Sequence, residues 1–242
     1  MTGGIIRKIR EKLREGGPRL LLSLLARNAA HWLAVRQDRH FDRRYGVETV
    51  DPIHRPDLKI SHRHGQFGTS YHPTVVSALK RIFGELPVDP RGYQFIEFGS
   101  GKGRVLLWAA RSPFARVTGI EYSRTLCDIA EENVRRVAGN QEFKSPIDIV
   151  CQDATETRIP SVQCVFYFYN PFSDEIAASV LKNIAAARET APRPDVIVWY
   201  PAPSGAGRIL PESFGFHVHK HVIVRDYLGA ERDVYIMVRT QS

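Results

Sequence analysis

Residues 95–104 read Phe95-Ile96-Glu97-Phe98-Gly99-Ser100-Gly101-Lys102-Gly103-Arg104. An apolar run ends in an acidic, glycine-rich turn, and a helical pattern follows from Gly103 to Arg111. Glycines in such a turn let the main chain approach a ligand and present helix N-terminal amides to it. Three nucleotide-binding patterns compete for the stretch. A phosphate-cradling loop requires Gly-Lys followed by Ser or Thr, with another Gly five residues before the Gly of that pair; here Gly103 follows Lys102 and Ile96 stands upstream. A dinucleotide fingerprint requires a third Gly or Ala three residues after the second, where Arg104 stands. The arrangement that fits is acid-x-Gly-x-Gly-x-Gly, as Glu97, Gly99, Gly101 and Gly103.

From Pro90 onward, short apolar runs alternate with helix-length segments, which is the pattern of a parallel sheet with crossover helices. Strands are predicted at Gln94 to Phe98, Arg116 to Tyr122, Ile147 to Cys151, Cys164 to Tyr169 and Pro194 to Tyr200. Helices are predicted at Gly103 to Arg111, Ser123 to Val137 and Asp174 to Arg188. The tail differs: His217 to Val224 and Asp233 to Thr240 are strand patterns joined by the turn Arg225 to Arg232, an antiparallel hairpin. The expected fold is α/β, a mostly parallel seven-stranded sheet with a C-terminal antiparallel hairpin, preceded by N-terminal helices.

These features resemble the class I S-adenosylmethionine-dependent methyltransferases, from about residue 70 to the end. Glu97, Gly99, Ser100, Gly101 and Gly103 correspond to that family's first motif. Glu121 ends the second strand about 20 residues further on, where the family's carboxylate accepts the ribose hydroxyl protons. Asp153, followed by Ala154, comes just after the third strand and by resemblance faces the adenine amino group, while Tyr122 lies against the adenine ring. The implied cofactor is S-adenosylmethionine.

After the fourth strand stand Asn170, Pro171 and Phe172. They are similar to the Asn/Asp-Pro-Pro-Tyr/Phe motif of amino-methylating members, with one proline missing. In that motif the amide oxygen and a proline carbonyl accept protons from the target amine and the aromatic ring packs on it. Upstream, Tyr71-His72-Pro73-Thr74 resembles the Tyr-x-Pro-Thr element of small protein-lysine methyltransferases, which implies that Tyr71 and Thr74 close over the cofactor. The expected activity is therefore N-methylation of an amine, with protein lysine favoured. The alternative is a noncatalytic adaptor that keeps the fold and binds a membrane or a protein through its N-terminal part.

That part carries the charge. The chain has 242 residues, is 43% hydrophobic and 25% charged, and has a net charge of +8. Residues 1–45 hold eleven Lys or Arg against Glu11, Glu15, Asp38 and Asp42, a local +7, so a uniformly basic coat is excluded. Ile5, Ile6, Ile9 and Leu13 share one face of a short basic helix that ends at Gly16-Gly17-Pro18. A second helix from Pro18 to about Val35 carries Leu21, Leu24, Leu25, Trp32 and Leu33 and leads into a loop. A third is expected from near Pro73 to Gly84. The division is a basic helical arm over 1–45, a connecting loop over 46–70 and the methyltransferase domain over 71–242. Such an arm suits peripheral contact with an anionic membrane or an acidic protein. Nucleic acid is less favoured, because Arg7 to Arg14 lack interleaved aromatic residues.

Cys127, Cys151 and Cys164 match no zinc spacing and leave an odd thiol in any disulfide scheme, and Cys127 reads as a packing residue. His217, His219 and His221 alternate along one strand with no helpful acid or Cys and read as a solvated row, and the same holds for His62 and His64. No metal site is expected. No apolar run is long enough for a membrane span and the N-terminus lacks a signal-peptide pattern, so a cytoplasmic protein is expected.

Overall fold

In the computed structural model, residues 22, 25, 28–53, 71–169, 173–200 and 209–239 are described. The strands are β1 (Gln94–Phe98), β2 (Arg116–Glu121), β3 (Ile147–Cys151), β4 (Cys164–Tyr169), β5 (Asp195–Tyr200), β6 (His217–Arg225) and β7 (Glu231–Arg239). They form one sheet in the order β3-β2-β1-β4-β5-β7-β6. β1 to β5 pair in parallel, while β7 is antiparallel to both β5 and β6. Strand order reverses between β1 and β4, and open sheets of this kind bind ligands beyond the strand C-termini at that switch point.

β4 and β5 are nearly continuous apolar runs because both faces are covered. Val165 and Tyr167 of β4 pack with Phe95 and Val117 on one face. Phe166 and Phe168, one residue out of phase, pack with Ile96, Phe98, Leu181 and Ile184 on the other. The helices are α1 (residues 28–45, with Leu22 and Leu25 also helical), α2 (Val76–Gly84), α3 (Arg104–Ala109), α4 (Arg124–Val137), α5 (Asp174–Thr190) and the short α6 (Ile209–Glu212). The sequence did not announce α6.

The second N-terminal helix also differs from expectation. It continues past Val35 to residue 45, because Phe41 and Tyr45 pack with Leu107 and Val137 and drive one more amphipathic stretch onto the domain. Tyr45 also meets Phe143 edge-on at 5.0 Å between ring centroids. Burying two aromatic side chains contributes on the order of 1.5–3 kcal/mol each. The basic helix expected over residues 5–15 lies outside the described residues, as do His62 and His64. Among the described residues, no helix is long and apolar enough to cross a membrane.

Candidate functional site

The turn between β1 and α3 is held by main-chain bonds to its neighbours. The amides of Gly99 and Ser100 donate to the carbonyl of Ile120 at 2.8 and 3.1 Å, fastening the turn to the end of β2. Glu121 then ties two segments together: one carboxylate oxygen accepts from the Gly101 amide at 2.8 Å and the other from the Ser123 amide at 2.9 Å. The Tyr122 amide also acts on this carboxylate, and a carboxylate's four lone pairs leave room for a further hydroxyl donor. Burial raises the Glu121 carboxyl above its ordinary range, and the amide bonds work against that rise.

Glu97 lies on β1 opposite Gly119 of β2 and Tyr167 of β4. A Cβ on Gly119 would come within 2.6 Å of the Ser100 hydroxyl and 2.4 Å of Leu106, so only glycine leaves room for that hydroxyl beside Glu97. Glu97 Oε2 and Ser100 Oγ are buried without a hydrogen-bond partner among the described residues. Burial, then the neighbouring Glu121, push the Glu97 carboxyl well above the usual carboxylate range. A buried polar atom left unpaired costs about 1–3 kcal/mol, which a polar or cationic ligand relieves.

Tyr71 covers the turn. A Cβ on Gly101, whose φ is +55°, would stand 2.4 Å from the Tyr71 ring. The ring is placed from behind, since the Tyr71 hydroxyl donates to the Thr49 carbonyl at 2.9 Å and its amide to the Ile53 carbonyl at 2.9 Å. The Lys102 ammonium lies 5.6 Å from the ring centroid and pairs with Glu48 at 2.6 Å. Thr74 is buried, and its carbonyl accepts from Arg104 at 3.3 Å.

Arg104, the first residue of α3, organises this surround. Its guanidinium pairs with Asp38 of α1, donates Nε–H to the Thr49 hydroxyl at 2.8 Å and donates to the Tyr227 hydroxyl at 2.8 Å. Tyr227, in the turn between β6 and β7, itself donates to Asp38. Asp42 holds the amides of Thr49 and Val50 at 2.6 and 2.9 Å. Lys102, Arg104, Asp38, Glu48, Thr49 and Tyr227 were not singled out from the sequence. The available signal was Asp38 and Asp42, two acids at i, i+4 in a strongly basic helix, sharing a face with Phe41 and Tyr45 rather than with Arg36 and Arg43.

At the end of β3, Asp153 is buried and caps a short 3-10 turn beginning at Ala154, accepting from the Thr155 amide at 2.9 Å and hydroxyl at 2.7 Å. Tyr122 follows Glu121 directly. The structure thus brings Glu97, Gly99, Ser100, Gly101, Gly103, Glu121 and Tyr71 to one end of the sheet, and sets Asp153 beyond the adjacent β3. Asn170, Pro171 and Phe172 lie outside the described residues. Cys127 is buried, its thiol donating to the Glu121 carbonyl at 3.4 Å. His217, His219 and His221 are exposed, with a register irregularity between Val218 and Lys220, and His221 pairs with Asp233 at 2.8 Å. Among the described residues no cluster of His, Cys, Asp or Glu is suited to hold a metal ion.

Residues 95–189 match the family described as methyltransferase domain. No curated protein matches the chain. Among solved structures, a Streptococcus pneumoniae protein provisionally described as a tRNA (m1A22) methyltransferase is 14% identical, with 70% of this chain and 72% of that one covered and a TM-score of 0.50. An uncharacterized Listeria monocytogenes serotype 4b protein is 13% identical over 70% of each chain, also at TM-score 0.50. Magnesium protoporphyrin IX methyltransferase from Synechocystis PCC 6803, solved with bound S-adenosylmethionine, is 17% identical over 68% of this chain and 76% of that one, with a TM-score of 0.48. The residues present fit S-adenosylmethionine, the cofactor expected from the sequence: Glu97 and Ser100 offer unpaired buried oxygens, Glu121 has room for a further hydroxyl donor, and the turn under Tyr71 admits only glycine at 101.

Proposed function

Because residues 95–189 match the methyltransferase domain family, we propose that the chain is a class I S-adenosylmethionine-dependent methyltransferase and that it methylates an amine nitrogen, with protein lysine as the favoured acceptor. The observation that carries the cofactor half of this reading is the unpaired Glu97 carboxyl beside Glu121, beneath a glycine turn roofed by Tyr71. The acceptor half rests on Asn170-Pro171-Phe172 directly after β4, at the switch point of the sheet, and on Tyr71-His72-Pro73-Thr74 beside the turn.

Glu121 would hold the ribose hydroxyls, Glu97 and Ser100 the polar end of the cofactor, and Asp153, Ala154 and Tyr122 its base. When bound, the cofactor supplies an electrophilic methyl group on a sulfonium. The chain's own contribution is then positioning and exclusion of water. Asn170 and the Pro171 carbonyl would accept hydrogen bonds from the incoming amine's N–H groups and aim its lone pair, and Phe172 would pack against it. A lysine must arrive uncharged, which desolvation in the site promotes. The Tyr71 hydroxyl is committed to Thr49, so Tyr71 acts as a wall. The Tyr169 phenol, pushed up to about 12 by burial, stays protonated through the working pH range.

Calorimetric titration of S-adenosylmethionine and S-adenosylhomocysteine into the wild type and Glu121→Ala tests the cofactor reading, which no binding at millimolar ligand would overturn. Methyl-transfer mass spectrometry with lysine-bearing proteins and with small amines then tests the acceptor. Asn170→Ala is expected to lower turnover far more than cofactor affinity. A mainly lost cofactor affinity would remove Asn170 from the acceptor side.

Cytoplasmic residence belongs to the same reading, in keeping with the free thiols of Cys127, Cys151 and Cys164. So does peripheral contact of the basic N-terminal region with an anionic surface.

A further inference from the structure

Behind the cofactor turn, at the far end of α3, a cavity of about 600 Å³ opens between α1, α2 and α3. Leu33, Phe41 and Trp108 form apolar walls, and Arg36, Arg43 and Lys80 stand at the cavity exposed to solvent. Arg111 also lines it, with its guanidinium 4.7 Å from the Trp108 ring centroid. None of the described lining residues is acidic. Among the described residues, an ion pair engages Arg44 with Glu142 but none engages Arg36, Arg43 or Lys80. Cations converging on an apolar hollow of this size suit a ligand with a negative head and a hydrocarbon portion.

The helix beside the cavity supports the same ligand. Leu22, Leu25, Trp32 and Leu33 are exposed, Trp32 to 74% and Leu33 to 59%. At 100° per residue they fall on one face of α1, which continues into Arg36, His40 and Arg43. Large apolar side chains left in water beside a row of cations characterise a helix that lies in a membrane interface, where tryptophan is favoured. Two other occupants are disfavoured by charge. Residues 1–21 are themselves basic, with Arg7, Lys8, Arg10, Lys12, Arg14 and Arg19 against Glu11 and Glu15. A second copy would set the same cations face to face. An acidic peptide would answer the cations but leave Leu22, Leu25 and Trp32 in water.

We infer that this cavity binds the headgroup of an anionic phospholipid while the Leu22–Leu33 face of α1 enters the bilayer interface. The inference rests on the peripheral-contact reading and gives it a place and a ligand. It is independent of methyl transfer, because the cavity lies at the opposite end of α3 from Gly101 and Gly103.

The test is co-sedimentation of the full chain with phosphatidylcholine vesicles, with and without phosphatidylglycerol, together with Trp32 emission. Wild type is expected to sediment with the anionic vesicles at low salt, to be released at high salt and to ignore the neutral ones. Trp32 emission should shift to the blue on binding, and Trp32→Phe should lose most of the shift. The variant Arg36→Glu/Arg43→Glu, on exposed side chains, should retain its fold and S-adenosylhomocysteine affinity yet partition at least about 30-fold more weakly. Wild type that fails to sediment would overturn both this inference and the peripheral reading. A charge-reversed variant that sediments as well as wild type would leave the peripheral reading and overturn the cavity. Polyglutamate or RNA that binds while vesicles do not would overturn the lipid in favour of an acidic protein or nucleic acid.

Discussion

Arg104 and Asp38 form an ion pair inside the protein, their side chains only 1% and 0% exposed, joining the residue after the glycine turn to helix α1. Removing one partner strands a buried charge, at a cost of about 3–5 kcal/mol. Asp38→Asn or Arg104→Met should therefore lower Tm by roughly 6–20 °C, at about 2–4 °C per kcal/mol for a chain of this size. The double variant should recover part of that loss in a thermal melt. Full recovery is not expected, because Asp38 also accepts from the Val76 amide at 2.9 Å.

Gly101→Ala should weaken cofactor binding tenfold or more. The new Cβ would meet the Tyr71 ring at 2.4 Å in a backbone with φ of +55°, a conformation costing an L-residue about 1–2 kcal/mol. Tyr71→Ala in the same chain should return part of the affinity by removing the collision and leaving only the backbone strain. Calorimetry with S-adenosylhomocysteine separates the two contributions. Equal losses in the single and double variants would show that the ring does not roof the turn.

Glu97→Gln should stabilise the protein without cofactor and weaken cofactor binding. The Glu97 carboxyl is held well above its ordinary value by burial and by Glu121, so the folded state keeps its proton longer than the unfolded chain does. That contribution to stability is complete below the unfolded value, near 4.3, and is lost as pH rises through the folded value. The Tm advantage of the variant should consequently widen as pH rises above the unfolded value, as scanning fluorimetry can follow. An advantage that shrinks with rising pH would reverse the assignment.

Thr49→Val should cost about 1–3 kcal/mol, because it leaves the Arg104 Nε–H without its acceptor in a buried setting. Thr49 also supplies the carbonyl that holds the Tyr71 hydroxyl, so affinity for S-adenosylhomocysteine should fall along with Tm. Thr49→Ser keeps the hydroxyl and should restore both. Unequal rescue would separate the packing of the methyl group from the hydrogen bond.

The sheet was legible because its signal is local. Gln94–Phe98, Ile147–Cys151 and Cys164–Tyr169 are each short, mostly apolar runs bounded by turn residues, and their ends coincide with the observed strands. The tail was legible as a hairpin, although its strands run closer to the turn than expected, to Arg225 and from Glu231. That Glu97, Gly101 and Glu121 meet at one end of the sheet could be expected from the sequence, because the turn after β1 and the end of β2 demand particular residue types at short spacing. The surround was not readable, since Asp38, Thr49, Arg104 and Tyr227 meet across separations of up to 189 residues. Charged side chains such as Lys102 and Arg104 are ordinarily exposed, and only the tertiary arrangement supplies the partners that let them be buried. Helix α1 was shortened in the reading because Arg36 to Arg44 look solvated in one dimension, whereas Phe41 and Tyr45 turn inward.

The insertion of β7 between β5 and β6 sets an order of assembly during synthesis. Helix α1, the glycine turn and five parallel strands leave the ribosome before the turn that carries Tyr227, which is the third member of the Arg104–Asp38 group. Until that turn arrives, the first helix has nothing to complete its anchorage and β5 remains an open edge, exposed to wrong pairing. The proposed cofactor site is therefore braced only once synthesis has passed Tyr227, and a nascent chain stalled before that residue should not bind S-adenosylhomocysteine.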